Sequence, residues 1–111
     1  KECDYFGIVS GNKEPDKIQK AGFTVTKSEF VDAPVINELP MVLECEVAQM
    51  SDDSDYIVGN IINVSADEAV LTEGKIDASK IKPICYDPVS HNYNVLGEVA
   101  GKAFSDGKEI K

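Results

Sequence analysis

Ser10, Gly11 and Lys17 are the first residues of this sequence whose types and spacing could bind a ligand. A glycine turn exposes backbone N–H groups, a serine hydroxyl adds a donor, and a lysine about two turns further along can reach an anion. The alternative is structural, with Gly11 ending a helix in the left-handed conformation and Lys17 solvated. The sequence therefore predicts an anion-binding turn, with a helix cap as the alternative.

Asn92 and Tyr93, which follow His91, form a second candidate group. An aromatic ring with a polar tip suits contact with a flat heterocycle, although Tyr93 could equally pack the C-terminal segment against the rest of the domain. His91 is the only histidine, so a Ser-His-Asp or Cys-His arrangement would have to use it. Nothing around it supports that role, and we expect an exposed loop histidine and no catalytic residue in this chain.

Metal ligands are not suggested by the cysteines or by the acidic run. Cys3, Cys45, Cys85 and His91 do not lie at ligand spacing, and Cys45 falls on the apolar side of a predicted strand. The run 51–55 lacks the glycine and the terminal glutamate of a calcium loop. We expect no metal site and a charged hairpin tip.

Composition limits the possible partners. The net charge of −9 and the isoelectric point near 4.4 make nucleic acid and anionic membrane surfaces unfavourable partners. A hydrophobic content of 42% in 111 residues fits one globular domain. An odd number of cysteines without C-x-x-C suits a reducing compartment, and no apolar run long enough to span a membrane is present. These features predict a cytoplasmic protein.

The elements that must position these groups follow from periodicity. Residues 1–10 have the apolar spacing of a helix end, and residues 15–21 predict a second short helix closed by Gly22. Residues 23–40, interrupted by prolines, predict an extended edge strand and loop. Strands are predicted at 42–50 and 56–64, joined by a turn at 51–55. This hairpin should bury the face of its first strand that carries Leu43, Cys45 and Val47.

The rest of the chain predicts shorter pieces. A brief strand at 67–72 should end at Gly74, and Asp77 should cap one helical turn at 79–81. A last short strand at 83–86 is followed by a turn at Asp87-Pro88. From Tyr93 onward the spacing of apolar residues favours helical or irregular structure.

An ordered set of short segments runs along nearly the whole chain. They are Tyr5-Phe6-Gly7, Ser10-Gly11, Asp16-Lys17, Gly22-Phe23, Ala33-Pro34, Pro40 with Leu43-Glu44-Cys45, Val58-Gly59, Gly74 with Ile76-Asp77, Lys82-Pro83, Tyr93 with Leu96-Gly97, and Gly101-Lys102-Ala103-Phe104. This set resembles the flavin reductase-like, FMN-binding split-barrel family, most closely its flavoredoxin branch.

The resemblance implies a mainly β fold with short helices, a split β-barrel. Members open with several strands before the segment that resembles Tyr5-Phe6-Gly7, and this sequence begins with Lys1 rather than Met. We therefore expect residues 1–111 to be the C-terminal part of one such domain, lacking its N-terminal strands. The resemblance also implies a homodimer.

The implied function is that of an FMN-binding flavin reductase or flavoredoxin-like redox protein. Electrons would pass from a nicotinamide cofactor or a protein donor through bound flavin, and an NAD(P)H-dependent enzyme would result if the full domain is present. Ser10, Gly11, Lys17, Asn92 and Tyr93 are the expected cofactor-binding residues.

Two departures from the family pattern favour a different class of function. Many members carry a histidine where this chain has Asp55 or Tyr56, and a glutamate where it has Asn60. These positions lie near the flavin or the dimer contact in relatives. The alternative is a non-catalytic split-barrel interaction or flavin-storage module.

Overall fold

The structure is a computed structural model that describes residues 1–53 and 56–110. The helices are α1 (Glu2–Ile8), α2 (Lys17–Lys20) and α3 (Ala78–Ile81), with 3₁₀ turns at Glu68–Val70 and Asp106–Glu109. The strands are β1 (Val25–Lys27), β2 (Pro34–Ile36), β3 (Met41–Met50), β4 (Ile57–Ala66), β5 (Leu71–Thr72), β6 (Lys75–Ile76), β7 (Ile84–Asp87) and β8 (Asn92–Val95). The chain divides into two compact units, Lys1–Asp67 and Glu68–Lys111.

The first unit begins with the two predicted short helices. The prediction that Gly11 ends α1 in the left-handed conformation is wrong, because α1 already ends at Ile8 and Val9 is extended, with φ −101° and ψ 121°. The Lys17 side chain hydrogen-bonds to the carbonyl groups of Phe6 and Val9 at this helix end instead. Gly22 does close the second helix as predicted, with φ +82°.

The segment 23–40 forms the antiparallel hairpin β1–β2 and its connecting loop. Ser28 begins that loop, and its Oγ accepts hydrogen bonds from the backbone N–H groups of Phe30 (2.9 Å) and Val31 (3.0 Å). Val31 is thereby turned inward and is one of two buried apolar side chains in the described part of the chain, the other being Val70. The extended character predicted for this segment is confirmed.

The predicted hairpin at 42–64 is confirmed as β3 paired with β4, but the predicted burial of its apolar face is not found in this chain. Leu43, Cys45 and Val47 are exposed, whereas Glu44 between them is only 7% exposed. Alternation therefore identified the strand correctly, and on the opposite face Glu44 is buried while Glu46 and Ala48 are exposed. The predicted turn lies partly outside the described residues; within it, Asp53 N–H donates to Ser51 Oγ (3.4 Å).

The buried carboxylate of Glu44 is hydrogen-bonded by two polar side chains. Asn63, its cross-strand partner, donates from Nδ2 to Glu44 Oε2 at 2.5 Å. The Ser28 hydroxyl also hydrogen-bonds to the Glu44 carboxylate, and together these bonds, that from Asn63 foremost, hold the pKa of Glu44 below its usual value. The β1–β2 loop is thus attached to the side of the β3–β4 hairpin that carries Glu44 and Asn63, here called its polar face.

The second unit contains the two short hairpins β5–β6 and β7–β8. The β5–β6 turn places Glu73 at φ 51° and Gly74 at φ 74°, the two positive angles that a tight hairpin turn requires. The prediction of helical or irregular structure from Tyr93 onward is wrong for Tyr93–Val95, since β8 pairs with β7 and Tyr93 lies opposite Tyr86. The cross-strand aromatic pair outweighs the local spacing that suggested a helix. From Leu96 onward the described residues are irregular or form the 3₁₀ turn Asp106–Glu109, as predicted.

Asp77 caps α3 as predicted. Its carboxylate accepts hydrogen bonds from the Ser79 backbone N–H (2.9 Å), the Ser79 hydroxyl (2.6 Å) and the Thr72 hydroxyl (2.7 Å). These bonds, led by that of the Ser79 side chain, lower the pKa of Asp77 to about 2. The cap therefore joins the start of α3 to the β5–β6 hairpin.

No helix in the described residues is both long and apolar enough to cross a membrane.

Replacing Asp77 by Asn should destabilise the second unit in a pH-dependent way. The folded-state pKa is depressed from 3.8 to about 2, so the contribution of the charge is fully present above pH 3.8 and is lost as pH falls through about 2. Amide hydrogen exchange of α3 in both proteins should therefore differ at neutral pH and converge near pH 2. A difference that is constant across this range would contradict the assignment of the effect to the carboxylate.

Candidate functional site

The structure brings Ser10, Gly11 and Lys17 together in the first unit. A Cβ atom added at Gly11 would lie 3.9 Å from Lys17 Cδ, so the lysine side chain passes directly beside the glycine. Ser10 Oγ accepts a hydrogen bond from Asn12 N–H (3.3 Å), and the Ser10 carbonyl accepts from Lys13 N–H and Glu14 N–H. The Ser10 hydroxyl is exposed and keeps its own hydrogen for donation to a ligand.

Lys17 is partly buried rather than solvated. Its Nζ donates to the carbonyl oxygens of Val9 (2.6 Å) and Phe6 (3.2 Å) at the C-terminal end of α1. The same ammonium lies 5.3 Å from the centroid of the Phe6 ring, which in turn stacks on Phe23 with centroids 5.9 Å apart. Lys17 therefore has a structural role in this conformation, because it satisfies terminal helix carbonyls that would otherwise lack partners.

Asn92 and Tyr93 are adjacent on β8 in the second unit. Asn92 Nδ2 donates to Ser90 Oγ (3.1 Å), which leaves the Asn92 side-chain carbonyl as an acceptor. The Tyr93 ring is 41% exposed and lies 5.5 Å from the Tyr86 ring, at an interplanar angle of 52°. An exposed aromatic pair of this kind offers a surface on which a flat ring can pack.

Tyr86 contacts both Tyr93 and His91 but was not among the site residues predicted from the sequence. Its hydroxyl is 2.8 Å from Nδ1 of His91, which occupies the hairpin turn with φ 55°. His91 is an exposed turn residue, as predicted. The signal was available in the sequence, since two tyrosines placed symmetrically about a proline-containing turn are typical of a cross-strand pair.

A groove of about 690 Å³ lies beside the end of β8, and its lining includes Ser79, Lys82, Val95 and Leu96. Its volume is within the range of small-molecule sites. Asn92 and Tyr93 do not line this groove. It is therefore a separate surface of the second unit, and it contains the Leu96-Gly97 segment of the sequence pattern.

The part of the chain that the structure describes contains no cluster of side chains that could bind a metal ion. Residues 1–53 and 56–110 contain no group of three or more His, Cys, Asp or Glu side chains placed to hold an ion. Cys3, Cys45 and Cys85 are free and exposed. Cys45 lies opposite Ile61 on the apolar side of β3, as predicted, and it is exposed because that side is uncovered in this chain.

Comparison with known proteins identifies the family. Residues 1–89 match the flavin reductase-like domain, and the chain belongs to this family. The flavoredoxin of Desulfovibrio vulgaris (Miyazaki F) superposes with a TM-score of 0.85 at 38% identity, covering 96% of this chain. The flavoredoxin of Methanosarcina acetivorans gives 0.84 at 34% identity over 100% of this chain.

A more distant likeness is to component B of nitrilotriacetate monooxygenase from Bacillus cereus. Its TM-score is 0.59 at 26% identity, over 78% of this chain and 46% of that protein. This chain spans 57% and 59% of the two flavoredoxin chains. The predicted fold class, the mainly β split-barrel class with short helices, is confirmed, although the described residues form four separate two-stranded ladders rather than a closed barrel.

Replacing Lys17 by Met should loosen the end of α1. Loss of the two charge-assisted hydrogen bonds should lower the local free energy of opening by about 1–3 kcal/mol. Amide exchange of Val9, whose N–H donates to the Tyr5 carbonyl (3.1 Å), should become about 5- to 150-fold faster.

Lys13→Met is the matched control, since Lys13 is exposed in the same loop and no side-chain contact of it is part of the helix cap. Equal exchange at Val9 in the two variants would contradict the capping role of Lys17.

Proposed function

We propose that this chain is part of an FMN-binding flavin reductase or flavoredoxin-like redox protein. The observation that carries the proposal is the agreement of sequence and fold: a flavin reductase-like domain over residues 1–89, and 38% identity with a flavoredoxin over 96% of this chain. Electrons would enter from a nicotinamide cofactor or a protein donor. The protein would act in the cytoplasm as a homodimer, as the family resemblance suggests.

The residues of the first unit fit a flavin phosphate in part. The Ser10 hydroxyl keeps its own hydrogen for donation and lies in an exposed loop beside Gly11, which itself carries no side chain. Lys17 already binds two carbonyl groups, but an ammonium has three donors, so one remains for a phosphate oxygen. Ser10 is accordingly the stronger candidate anchor and Lys17 a supporting charge.

The residues of the second unit fit an aromatic ring system in part. Tyr93 offers part of a ring face, and the Asn92 carbonyl can accept a hydrogen bond from a ring N–H. When bound, the flavin supplies the electron-transfer chemistry itself. The tasks of these residues are to orient the ring and to hold polar groups against it, which requires no acid–base side chain from this chain.

The non-catalytic alternative has two observations in its favour. Lys17, the cation proposed as an anchor, is used for the end of α1, and Asn60 lies opposite Glu46 on the hairpin where many relatives carry a glutamate. An interaction or flavin-storage module would need the fold without the redox step. Flavin binding and reduction by a nicotinamide separate the two functions.

Ser10→Ala should weaken binding of FMN but not of riboflavin. Loss of one hydrogen bond to the phosphate, worth roughly 1–1.5 kcal/mol, corresponds to about a five- to tenfold higher Kd for FMN alone. Tyr93→Leu should weaken both flavins about equally, because the ring face contacts the part that they share. Quenching of flavin fluorescence on titration with the purified protein measures both constants.

Matched controls are Ser65→Ala, which alters an exposed serine, and Phe30→Leu, which alters an aromatic side chain that is 57% exposed; neither residue belongs to the proposed site. A wild-type protein that binds neither flavin would overturn the redox proposal and favour the interaction module. A protein that binds FMN but is not reduced by NADH, NADPH or a reduced protein donor would favour flavin storage. An equal loss of both flavins in Ser10→Ala would remove Ser10 as the phosphate anchor.

A further inference from the structure

Tyr86 and Tyr93 lie on the same face of the β7–β8 hairpin. They are directly opposite each other in the ladder, and residues paired in this way point to the same side of a sheet. Their ring centroids are 5.5 Å apart, and Tyr86 is 52% exposed while Tyr93 is 41% exposed. A flat ligand that contacts Tyr93 from this side therefore also meets Tyr86.

The tilt between the two rings suits contact with a flat ring system. Their planes are inclined by 52°, so they do not form one continuous surface. Aromatic rings prefer offset-stacked or edge-to-face contacts to direct face-to-face stacking. A ligand ring that stacks on one tyrosine can thus meet the edge of the other. The fused tricyclic ring of a flavin is longer than one phenol ring, so Tyr93 alone would cover only part of it.

His91 holds the free end of the Tyr86 side chain. The Tyr86 hydroxyl is 2.8 Å from His91 Nδ1, and the centroids of the two rings lie 6.3 Å apart. Strand β7 holds the other end of the side chain at its Cβ atom. Because both ends are held, the Tyr86 ring loses little rotational freedom when a ligand packs against it.

The β7–β8 turn fixes His91 in its place. The Asp87 carboxylate accepts hydrogen bonds from the Val89 backbone N–H (2.9 Å) and from the Ser90 hydroxyl. These bonds, that of Ser90 foremost, hold the pKa of Asp87 below its usual value. His91 follows in the left-handed conformation, with φ 55°. The turn therefore gives the imidazole a defined position from which it reaches Tyr86.

We propose that Tyr86 is a second contact for the isoalloxazine ring of a flavin, and that His91 positions Tyr86 through its hydroxyl group. Tyr93 and Tyr86 then contact the same ring system, one by its face and the other by its edge. His91 is a positioning residue, because it contacts Tyr86 rather than the flavin. This inference rests on the proposed function, since it requires that a flavin binds beside Tyr93.

Titration with riboflavin tests the ring contact, because riboflavin lacks the phosphate that Ser10 would bind. Tyr86→Leu should raise the Kd for riboflavin about five- to tenfold through loss of the aromatic contact. Tyr86→Phe keeps the ring and should recover part of that loss, leaving a Kd about two- to threefold above that of the wild type. Cys85→Ser is the matched control, since Cys85 is exposed on the opposite face of the same strand and should not affect the Kd.

A double-mutant cycle between Tyr86 and His91 tests the positioning. His91→Asn is the suitable change, because asparagine adopts the left-handed conformation readily and its side chain is shorter than that of histidine. It should raise the Kd for riboflavin about two- to threefold, as Tyr86→Phe does, and the double variant should bind no more weakly than either single variant. If His91 only supported the turn, its effect would persist in the Tyr86→Phe background and the two losses would multiply.

Three results would overturn the inference. They are a Tyr86→Leu variant that binds riboflavin as the wild type does, equal losses for Tyr86→Leu and Tyr86→Phe, and losses that multiply in the double variant. If Tyr93→Leu weakens flavin binding while Tyr86→Leu does not, the proposed function stands and the inference fails. A wild-type protein that binds neither riboflavin nor FMN overturns the proposed function itself, and this inference with it.

Discussion

Two register shifts in the β3–β4 ladder determine how the first unit is organised. In a regular ladder every second residue shares a face, so Val47 and Met50 would point to opposite sides, as would Ile61 and Val64. The pairing skips Ile62 between Glu44 and Cys45, and it skips Ala48 between Val47 and Gln49. Each skipped residue resets the alternation and returns the following apolar residues to the same face. The bulges therefore create the continuous apolar face.

The polar face depends in turn on a single buried carboxylate. Glu44 lies where a side chain must be covered by the β1–β2 loop, and a buried charge is tolerated only when it is hydrogen-bonded. Asn63 supplies a donor from the neighbouring strand and Ser28 supplies one from the loop. Because Ser28 also accepts from Phe30 and Val31, the carboxylate fixes the loop through one serine. The location of Val31 in the interior follows from this network.

The sequence predicted what depends on neighbours in the chain and missed what depends on distant groups. The hairpin, the Asp77 cap and the Gly22 terminator each follow from residues a few positions apart. The predicted burial of Leu43 and Val47 is not found, because nothing in the described residues covers the apolar side of β3. Strand β8 was missed because its signal is the pairing of Tyr93 with Tyr86 across the turn, and the periodicity of residues from Tyr93 onward does not contain it.

The candidate site shows the same division, and Lys17 is the clearest case. The grouping of Ser10, Gly11 and Lys17 was predicted from their spacing. The hydrogen bonds of Lys17 to the carbonyl groups of Val9 and Phe6, eight and eleven residues earlier in the chain, depend on where α1 ends and on its direction, which the spacing does not give. A cation at the C-terminal end of a helix is favoured there without any ligand. A phosphate that used the third donor would meet a lysine already held in place, so binding would require little additional ordering of that side chain. The helix cap and the proposed anion site are therefore compatible, and the cap would hold the Lys17 side chain in place before a ligand arrives.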